Sequence, residues 1–275
     1  MLPKLGIIAG KGKLPGYLIN SCKLDRRDFF VVAIEGQANP KITKNVPHIW
    51  ADLKNIGGAF RELKDRKVKE VVMAGSVKRP SFFEIKPDFI TAKVLKKIIQ
   101  NTLLGKKSIG DGKMFSFLIQ AIEELGFKVV GLQRILVDAL AKKGIYGKYR
   151  PDNLATQDIE TGVKIARSIG KLDIGQSVIV QQGTVVGVEA AEGTDDLIKR
   201  FGKFKLSGDG GVLVKIGKPH QDKRVDLPTI GMDTVRNSIN VGLKGIAIEE
   251  RSTIIIDKEK IIPYANRNNF FLIGV

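Results

Sequence analysis

The chain is poor in the residues that most often announce chemistry. It has one cysteine, Cys22, two histidines, His48 and His220, and one tryptophan, Trp50, among 275 residues. A single cysteine excludes an intrachain disulfide and any multi-cysteine metal site. Two histidines leave little for imidazole-based zinc chemistry. A hydrolase built here has to rely on carboxylates and backbone groups, with a hard cation, Mg²⁺ or Mn²⁺, as the expected metal. No apolar run approaches the ~20 residues that span a bilayer. The opening Met1–Gly10 stretch lacks the basic region and long apolar core of a secretory signal and reads as a first strand. Aromatics make up 7% of the chain and do not interleave with basic residues, which argues against a single-strand nucleic-acid platform.

What is present suits a globular protein. Apolar residues are 43% of the chain, enough to bury a core and too many for a disordered or collagen-like sequence. The 46 basic residues outnumber the 29 acidic ones, for a formal charge of +17. That surplus favours an anionic partner: nucleic acid, anionic lipid or a phosphorylated substrate. The lysines are scattered and never form a block of five, so a merely Lys-rich surface accounts for them equally well.

Strands and helices alternate through the first half. Lys4–Ala9, Phe29–Ile34, Val68–Ala74 and Phe127–Leu132 read as buried strands. Leu14–Leu24, Ile56–Arg66, Ile90–Leu104 and Lys113–Leu125 have helical spacing, and Gly126 suits a helix C-terminus. This alternation predicts βαβ units and a mainly parallel, three-layer sheet. The polar, Gly-bearing stretch at 142–153 is the expected linker between residues 1–141 and 154–275. Beyond it, Gln157–Ile169, Thr194–Phe201 and Met232–Gly242 read as helices. Ser177–Gln181 and Thr184–Ala190 read as a hairpin about Gln182-Gly183. Gly211–Ile216, Ala247–Ile256 and Phe270–Ile273 are strand-like, and Pro219–Ile230 reads as a long polar loop. The expected fold is therefore α/β, a Rossmann-like first domain followed by a second, mixed α/β domain.

Four segments could carry chemistry. Gly10, Lys11, Gly12, Lys13 and Leu14 follow the first strand, where glycines bring amides toward a phosphate at a helix N-terminus. Glu35, after the second strand, stands near the place of a ribose contact, although the glycine spacing only approximates the dinucleotide fingerprint. A ligand-free tight turn is the alternative. Ser76, Lys78 and Arg79 lie past the end of another parallel strand and suit a phosphate or carboxylate, or simply form a solvated basic loop. Asp111 precedes a helix and either caps it or binds a ligand. The densest segment is Lys215–Thr234. It holds Asp222, Asp226 and Asp233 with Lys215, Lys218 and Arg224, and Thr229 and Gly231 stand before a helix. Carboxylates can hold a cation or orient water, and basic side chains and helix-terminal amides can hold a diphosphate beside them; the alternative is a charged surface loop whose Asp233 caps the helix. Upstream, Glu192 and Asp195 suit either acidic ligands or partners of a helix N-terminus; capping accounts for Thr194 and Asp195 and fits Glu192 less well.

Several of these strings together resemble one family. GIIAGKGKLP at Gly6–Pro15, VGVEAAEGTD at Val186–Asp195, GVLVK at Gly211–Lys215, KPHQDKRVDLPTIGMDT at Lys218–Thr234 and GLKGIAIE at Gly242–Glu249 resemble the LpxI family in order and spacing. Two departures stand out. Gly110-Asp111-Gly112 occupies the place of a Gly-Asp-Asp, and Gly231-Met232-Asp233-Thr234 that of a Gly-Pro-Asp-Thr. The first weakens a metal role for the Asp111 region.

The resemblance implies a UDP-2,3-diacylglucosamine pyrophosphatase of lipid A biosynthesis. Its Rossmann-like and second α/β domains hold the lipid-nucleotide between them. The implied reaction gives UMP and 2,3-diacylglucosamine 1-phosphate (lipid X) by metal-assisted attack of water. The family's essential aspartate falls by motif match on Asp226. Asp222, Asp233 and Arg224 join it as catalytic candidates, and Asp226, Asp222 and Glu192 as metal ligands. The expected partners are the lipid-linked UDP-sugar and the anionic inner-membrane surface, with no nucleic acid and room for a homodimer. The expected place is the cytoplasm, peripheral to that membrane. Phe82, Phe83, Ile85 and Phe89 are the apolar residues expected at an acyl groove or, equally, in the core. The competing reading of the Gly-rich start is a nicotinamide-dependent oxidoreductase, which lacks an evident hydride-transfer pair.

Overall fold

The computed structural model describes residues 2–78, 111–219, 222–224 and 227–275, with only the backbone of 111–115. The chain divides into two compact units, Met1–Leu136 with Asp222–Val225, and Val137–Gln221 with Asp226–Val275.

The first unit is built on five parallel strands, β1 (Leu5–Ala9), β2 (Phe29–Ile34), β3 (His48–Ala51), β4 (Glu70–Ala74) and β5 (Lys128–Val129), in the order β3-β2-β1-β4-β5. The order reverses at β1, so the switch point where such sheets bind ligands lies between β1 and β4. LGIIA and FFVVAI are uninterrupted apolar runs and are buried throughout, as strands covered on both faces must be. Helices α1 (Leu14–Leu24), α2 (Gly57–Asp65) and α3 (Asp111–Glu124) supply the cover. Leu63 of α2 and Ile119 and Ile122 of α3 pack with Ile8, Phe30, Val32 and Val71 of the strands. At the opposite end of the sheet, Arg27 donates to Glu70 at 2.7 Å in a largely buried ion pair. The link from β2 to β3 is a single 3₁₀ turn, Pro40–Ile42, capped by Asn39. Strand β3 was not foreseen, because His48–Ala51 is half exposed and lacks an apolar run. The expected strand at Phe127–Leu132 is shorter than its apolar pattern: only Lys128–Val129 pairs, and Leu132–Arg134 turns into a 3₁₀ helix. The expected helix Ile90–Leu104 and the Phe82–Phe89 cluster lie outside the described residues.

The second unit has a mixed sheet of β6 (Gly144–Tyr146), β7 (Ser177–Gln181), β8 (Thr184–Val188), β9 (Val212–Lys215), β11 (Gly245–Ile248) and β13 (Phe271–Gly274). Their order is β6-β13-β11-β9-β7-β8. Strands β9, β11 and β13 are mutually parallel, while β6, β7 and β8 run antiparallel to their neighbours. Alternate residues face opposite layers. Val178, Val180, Val212 and Val214 pack on α4 (Asn153–Lys171) through Ile159 and Ala166. Ile179, Leu213 and Ile246 face α5 (Thr194–Phe204), α6 (Met232–Asn240) and α7 (Lys258–Arg267) through Leu197, Phe201, Val235 and Ile261. A Cβ on Gly162 would press into Val214, so that glycine lets α4 lie close on the sheet.

Three expectations change. The stretch 142–153, read as a linker, contains β6, an edge strand hydrogen-bonded to β13. Its polar, glycine-bearing sequence is tolerated because an edge strand pairs on one side only. The long loop expected at Pro219–Ile230 ends in β10 (Thr229–Ile230), which pairs in parallel with β12 (Ile254–Ile255). Helix α7 was not expected, because Pro263 sits within it.

Candidate functional site

In the first unit the Gly-rich loop after β1 and the loop after β4 are stitched together. Lys11 N–H donates to the Ser76 carbonyl at 2.7 Å, Ser76 N–H returns to Lys11 at 3.1 Å, and Gly10 N–H donates to Ala74 at 2.9 Å. The approach is so close that a Cβ on Gly10 would collide with the Ser76 carbonyl. Gly75, at φ +85°, faces Lys11 in the same way. The amides of Gly10 and Lys11 therefore close the sheet end rather than face an anion. Exposed Lys11, Gly12 and Lys13 lead into α1, whose N-cap Lys13 provides no side-chain cap, and Leu14 turns inward. Gln37 grips the backbone of Lys78 with both ends of its amide, from the loop after β2. The loops carrying Gly10–Leu14, Ser76 and Lys78 thus share one end of the parallel sheet. Arg79 lies outside the described residues, and Asp111 opens α3.

In the second unit three of the motif strings converge. Lys215 ends β9 and is buried, with 7% exposure. Its ammonium donates to Thr194 Oγ1 at 2.9 Å and to the Thr229 carbonyl at 3.2 Å. Thr194 Oγ1 donates to Oε1 of Glu189 at 2.9 Å, and Glu189 is itself buried after β8. Ser177 Oγ, at the start of β7, lies 3.2 Å from the same Thr194 hydroxyl. Gln176 N–H donates to the other oxygen of Glu189 at 3.3 Å. The sheet register makes this meeting necessary, because Ser177 pairs with Lys215 and Val178 pairs with both Val188 and Val214.

This cluster overturns the capping account of Thr194. The N-cap of α5 is Gly193, at φ +83°, and it makes no side-chain cap. Thr194 is the first helical residue, so its hydroxyl is turned to Glu189 and Lys215, while Asp195 and Asp196 sit in the first turn facing the helix dipole. Glu189 and Ser177 were not singled out from the sequence. The available signal was a carboxylate placed directly after the apolar run Val185–Val188, and Glu189 is buried there.

The remaining described residues have partners of their own. Glu192 accepts from Arg200 at 2.8 Å and from Ala190 N–H at 3.1 Å. Lys218 donates to Asp173 at 2.7 Å, a pair that ties the turn after α4 to the end of β9. Asp222 accepts from Arg224 Nε at 3.0 Å and Nη2 at 2.8 Å, and caps the Arg224 amide at 2.9 Å. The guanidinium's hydrogen bond holds the Asp222 carboxyl below the usual carboxylate range. Arg224 Nη1 reaches Glu123 of α3 at 2.9 Å. Asp233 lies in the first turn of α6, whose N-cap is Gly231, with Arg236 at 3.8 Å. Asp226, with Val225, lies outside the described residues. Among the described residues no three of His, Cys, Asp and Glu gather as a metal site. None of their helices is long and apolar enough to cross a membrane.

Comparison with known proteins assigns both halves of the chain. The LpxI N-terminal domain matches residues 4–139 and the LpxI C-terminal domain residues 142–273. The chain is 34% identical over 278 residues to the UDP-2,3-diacylglucosamine pyrophosphatase LpxI of Caulobacter vibrioides, covering 99% of this chain and 97% of that one. Among solved structures, the UDP-glucose 4-epimerase of Thermus thermophilus in complex with NAD is 14% identical over 55% of this chain and 41% of that one, at a TM-score of 0.29. An isoflavone reductase is 10% identical over 100% of this chain and 78% of that one, also at 0.29. Likenesses that weak do not carry the nicotinamide reading. With both domain families matched in order and a full-length relative at this identity, the chain belongs to the LpxI family.

Proposed function

We propose that this chain hydrolyses the diphosphate of UDP-2,3-diacylglucosamine to UMP and 2,3-diacylglucosamine 1-phosphate. The observation that carries the reading is the meeting of Glu189 and Thr194 (VEAAEGTD), Lys215 (GVLVK) and Thr229 (DLPTIG) at one end of the second sheet. Strings well separated along the chain become one polar cluster around a buried ammonium, and they are the strings that mark the family. A diphosphate diester carries two negative charges, and more charge moves onto its leaving oxygen as the P–O–P bridge breaks. Lys215 supplies a fixed positive charge for that oxygen, in surroundings where charge is weakly screened. In the other unit, exposed Lys11, Lys13 and Lys78 are the cations for an anionic ligand at the sheet end. Asp226, by motif match, orients the attacking water. Arg224, fixed by Asp222 and Glu123, keeps its positive charge near Asp226 in the chain.

The described carboxylates do not supply a ready cage for a cation, since Glu192 and Asp222 each engage an arginine. Metal dependence, on Mg²⁺ or Mn²⁺, is nevertheless part of the proposal. Mg²⁺ is commonly held by one or two carboxylates together with substrate phosphates rather than by an all-protein cage. Action at an anionic membrane surface also belongs to the reading, from the lipid nature of the substrate and the +17 charge. The test is product analysis with UDP-2,3-diacylglucosamine, with EDTA and with Mg²⁺ or Mn²⁺ restored. UMP and the lipid monophosphate in equal amounts are expected. An intact substrate under every metal condition would remove the reading, and turnover unchanged by EDTA would remove its metal part alone.

A further inference from the structure

We infer that Thr194 and Glu189 are positioning residues for Lys215, a three-membered relay that sets where the ammonium stands during diphosphate cleavage. The inference rests on the proposed reaction and deepens it.

The hydroxyl of Thr194 has one hydrogen to give and two lone pairs to receive with. Its hydrogen goes to Glu189 Oε1 at 2.9 Å. One lone pair accepts from Lys215 Nζ at 2.9 Å. Ser177 Oγ, 3.2 Å away, must then be the donor of its bond to Thr194 and fills the second lone pair. The hydroxyl is therefore saturated and its direction is fixed by chemistry, not by a free rotor. Glu189 is fixed in turn: Gln176 N–H holds its second oxygen, and Glu189 N–H donates to Ser177 at 2.9 Å. A Cβ on Gly175 would collide with the Glu189 carbonyl, so the chain on that side is close-packed. Glu189 polarises the Thr194 hydroxyl, which makes it a better acceptor for the Lys215 ammonium.

A lysine side chain has a long flexible stem and a freely turning ammonium, so a lone buried lysine is a poorly aimed charge. Its ammonium is directed here, to Thr194 and to the Thr229 carbonyl. The latter anchors it to the segment that carries DLPTIG. Positioning of this kind matters because transition-state charge is stabilised only by groups already in place. A purely structural role would be met by any side chain that fills the space of Thr194.

The experiment compares Thr194→Val, Thr194→Ser and Glu189→Gln with the wild type on UDP-2,3-diacylglucosamine. Each variant's kcat and KM are measured separately, and its melting temperature is recorded. Thr194→Val keeps the shape and removes the hydroxyl. It is expected to lower kcat by on the order of 10- to 100-fold with KM changed less than about threefold, as for other supports of a functional group. Thr194→Ser, which restores the hydroxyl, is expected to recover most of kcat. Valine and wild type with equal kcat would overturn the inference, and so would equal losses in the valine and serine variants. If Thr194→Val does not fold, Glu189→Gln decides: a folded variant with lowered kcat supports the relay, and one with full kcat overturns it. A wild type that leaves the substrate intact sinks the proposed reaction itself, a result distinct from each of these.

Discussion

Arg224 holds Asp222 in a fork, with Nε 3.0 Å from Oδ1 and Nη2 2.8 Å from Oδ2, and extends Nη1 to Glu123, 101 residues earlier in the chain. Asp222 thus has its ionised oxygens engaged by an arginine. The pair is partly exposed, so each single loss is modest. In a double-mutant cycle of Asp222→Asn and Arg224→Ala, we expect a coupling of about 0.5–1 kcal/mol by urea unfolding at pH 7. Because the folded carboxyl titrates below its ordinary range, this stabilisation is complete above that range and is lost as pH falls through the folded value. The same cycle at pH 3 should therefore show a smaller coupling. A coupling unchanged by acid would contradict the ion pair.

Asp226→Ala should retain substrate affinity while turnover falls on the order of 100-fold or more, because the residue is proposed to act on the attacking water rather than on binding. Equilibrium binding of the lipid-nucleotide, measured beside single-turnover kinetics, separates the two. Full turnover in this variant would remove Asp226 from the chemistry.

The stitched sheet end makes a graded prediction about three glycines. Gly10→Ala forces a methyl onto the Ser76 carbonyl, and Gly75→Ala forces one onto Lys11 at φ +85°. Each should cost about 1–3 kcal/mol in denaturant unfolding. Gly12 is also left-handed, at φ +105°, but has open space around it, so Gly12→Ala should cost only about 1 kcal/mol.

Asp158 of α4 is buried and accepts from the amides of Gln182 and Gly183, at 3.0 and 2.6 Å, which closes the β7–β8 turn onto the helix. Asp158→Ala removes the carboxylate that accepts from both turn amides. A loss of about 1–3 kcal/mol is expected, with hydrogen exchange accelerated first at Gln182 and Gly183. Uniform exchange across the second unit would place the effect elsewhere.

Cys22, on the inward face of α1, is fully buried, and burial pushes its thiol up to about 11. It should fail to react with a thiol reagent at pH 8 until the first unit unfolds, so labelling tracks unfolding and not access to the native thiol.

Much of the fold was legible in order. The apolar runs Leu5–Ala9 and Phe29–Ile34, the helix between them and the Gln182-Gly183 hairpin follow from local periodicity and turn chemistry, which neighbouring residues determine on their own. The family strings carried the identity, because they are contiguous. Strands such as β3, β6 and β10 were hidden: they are short, polar or half exposed, and become strands only through a partner strand, which for β6 and β10 stands far away in sequence.

The site divides in the same way. Lys215, Lys218, Thr229 and the aspartates could be named from a dense charged segment, yet their pairings could not. A carboxylate followed by Gly-Thr-Asp looks like a helix start, and the local reading gave Thr194 a cap and Glu192 a ligand's role. The fold changes the first, since Gly193 takes the cap position, and it pairs Glu192 with Arg200, while the register of β7 with β8 and β9 brings Glu189 and Thr194 to Lys215. Residue types, spacing and family lie within the reach of a linear string, because each is fixed by near neighbours. Which acid meets which base depends on strand pairing across dozens of residues, and only the folded sheet decides that.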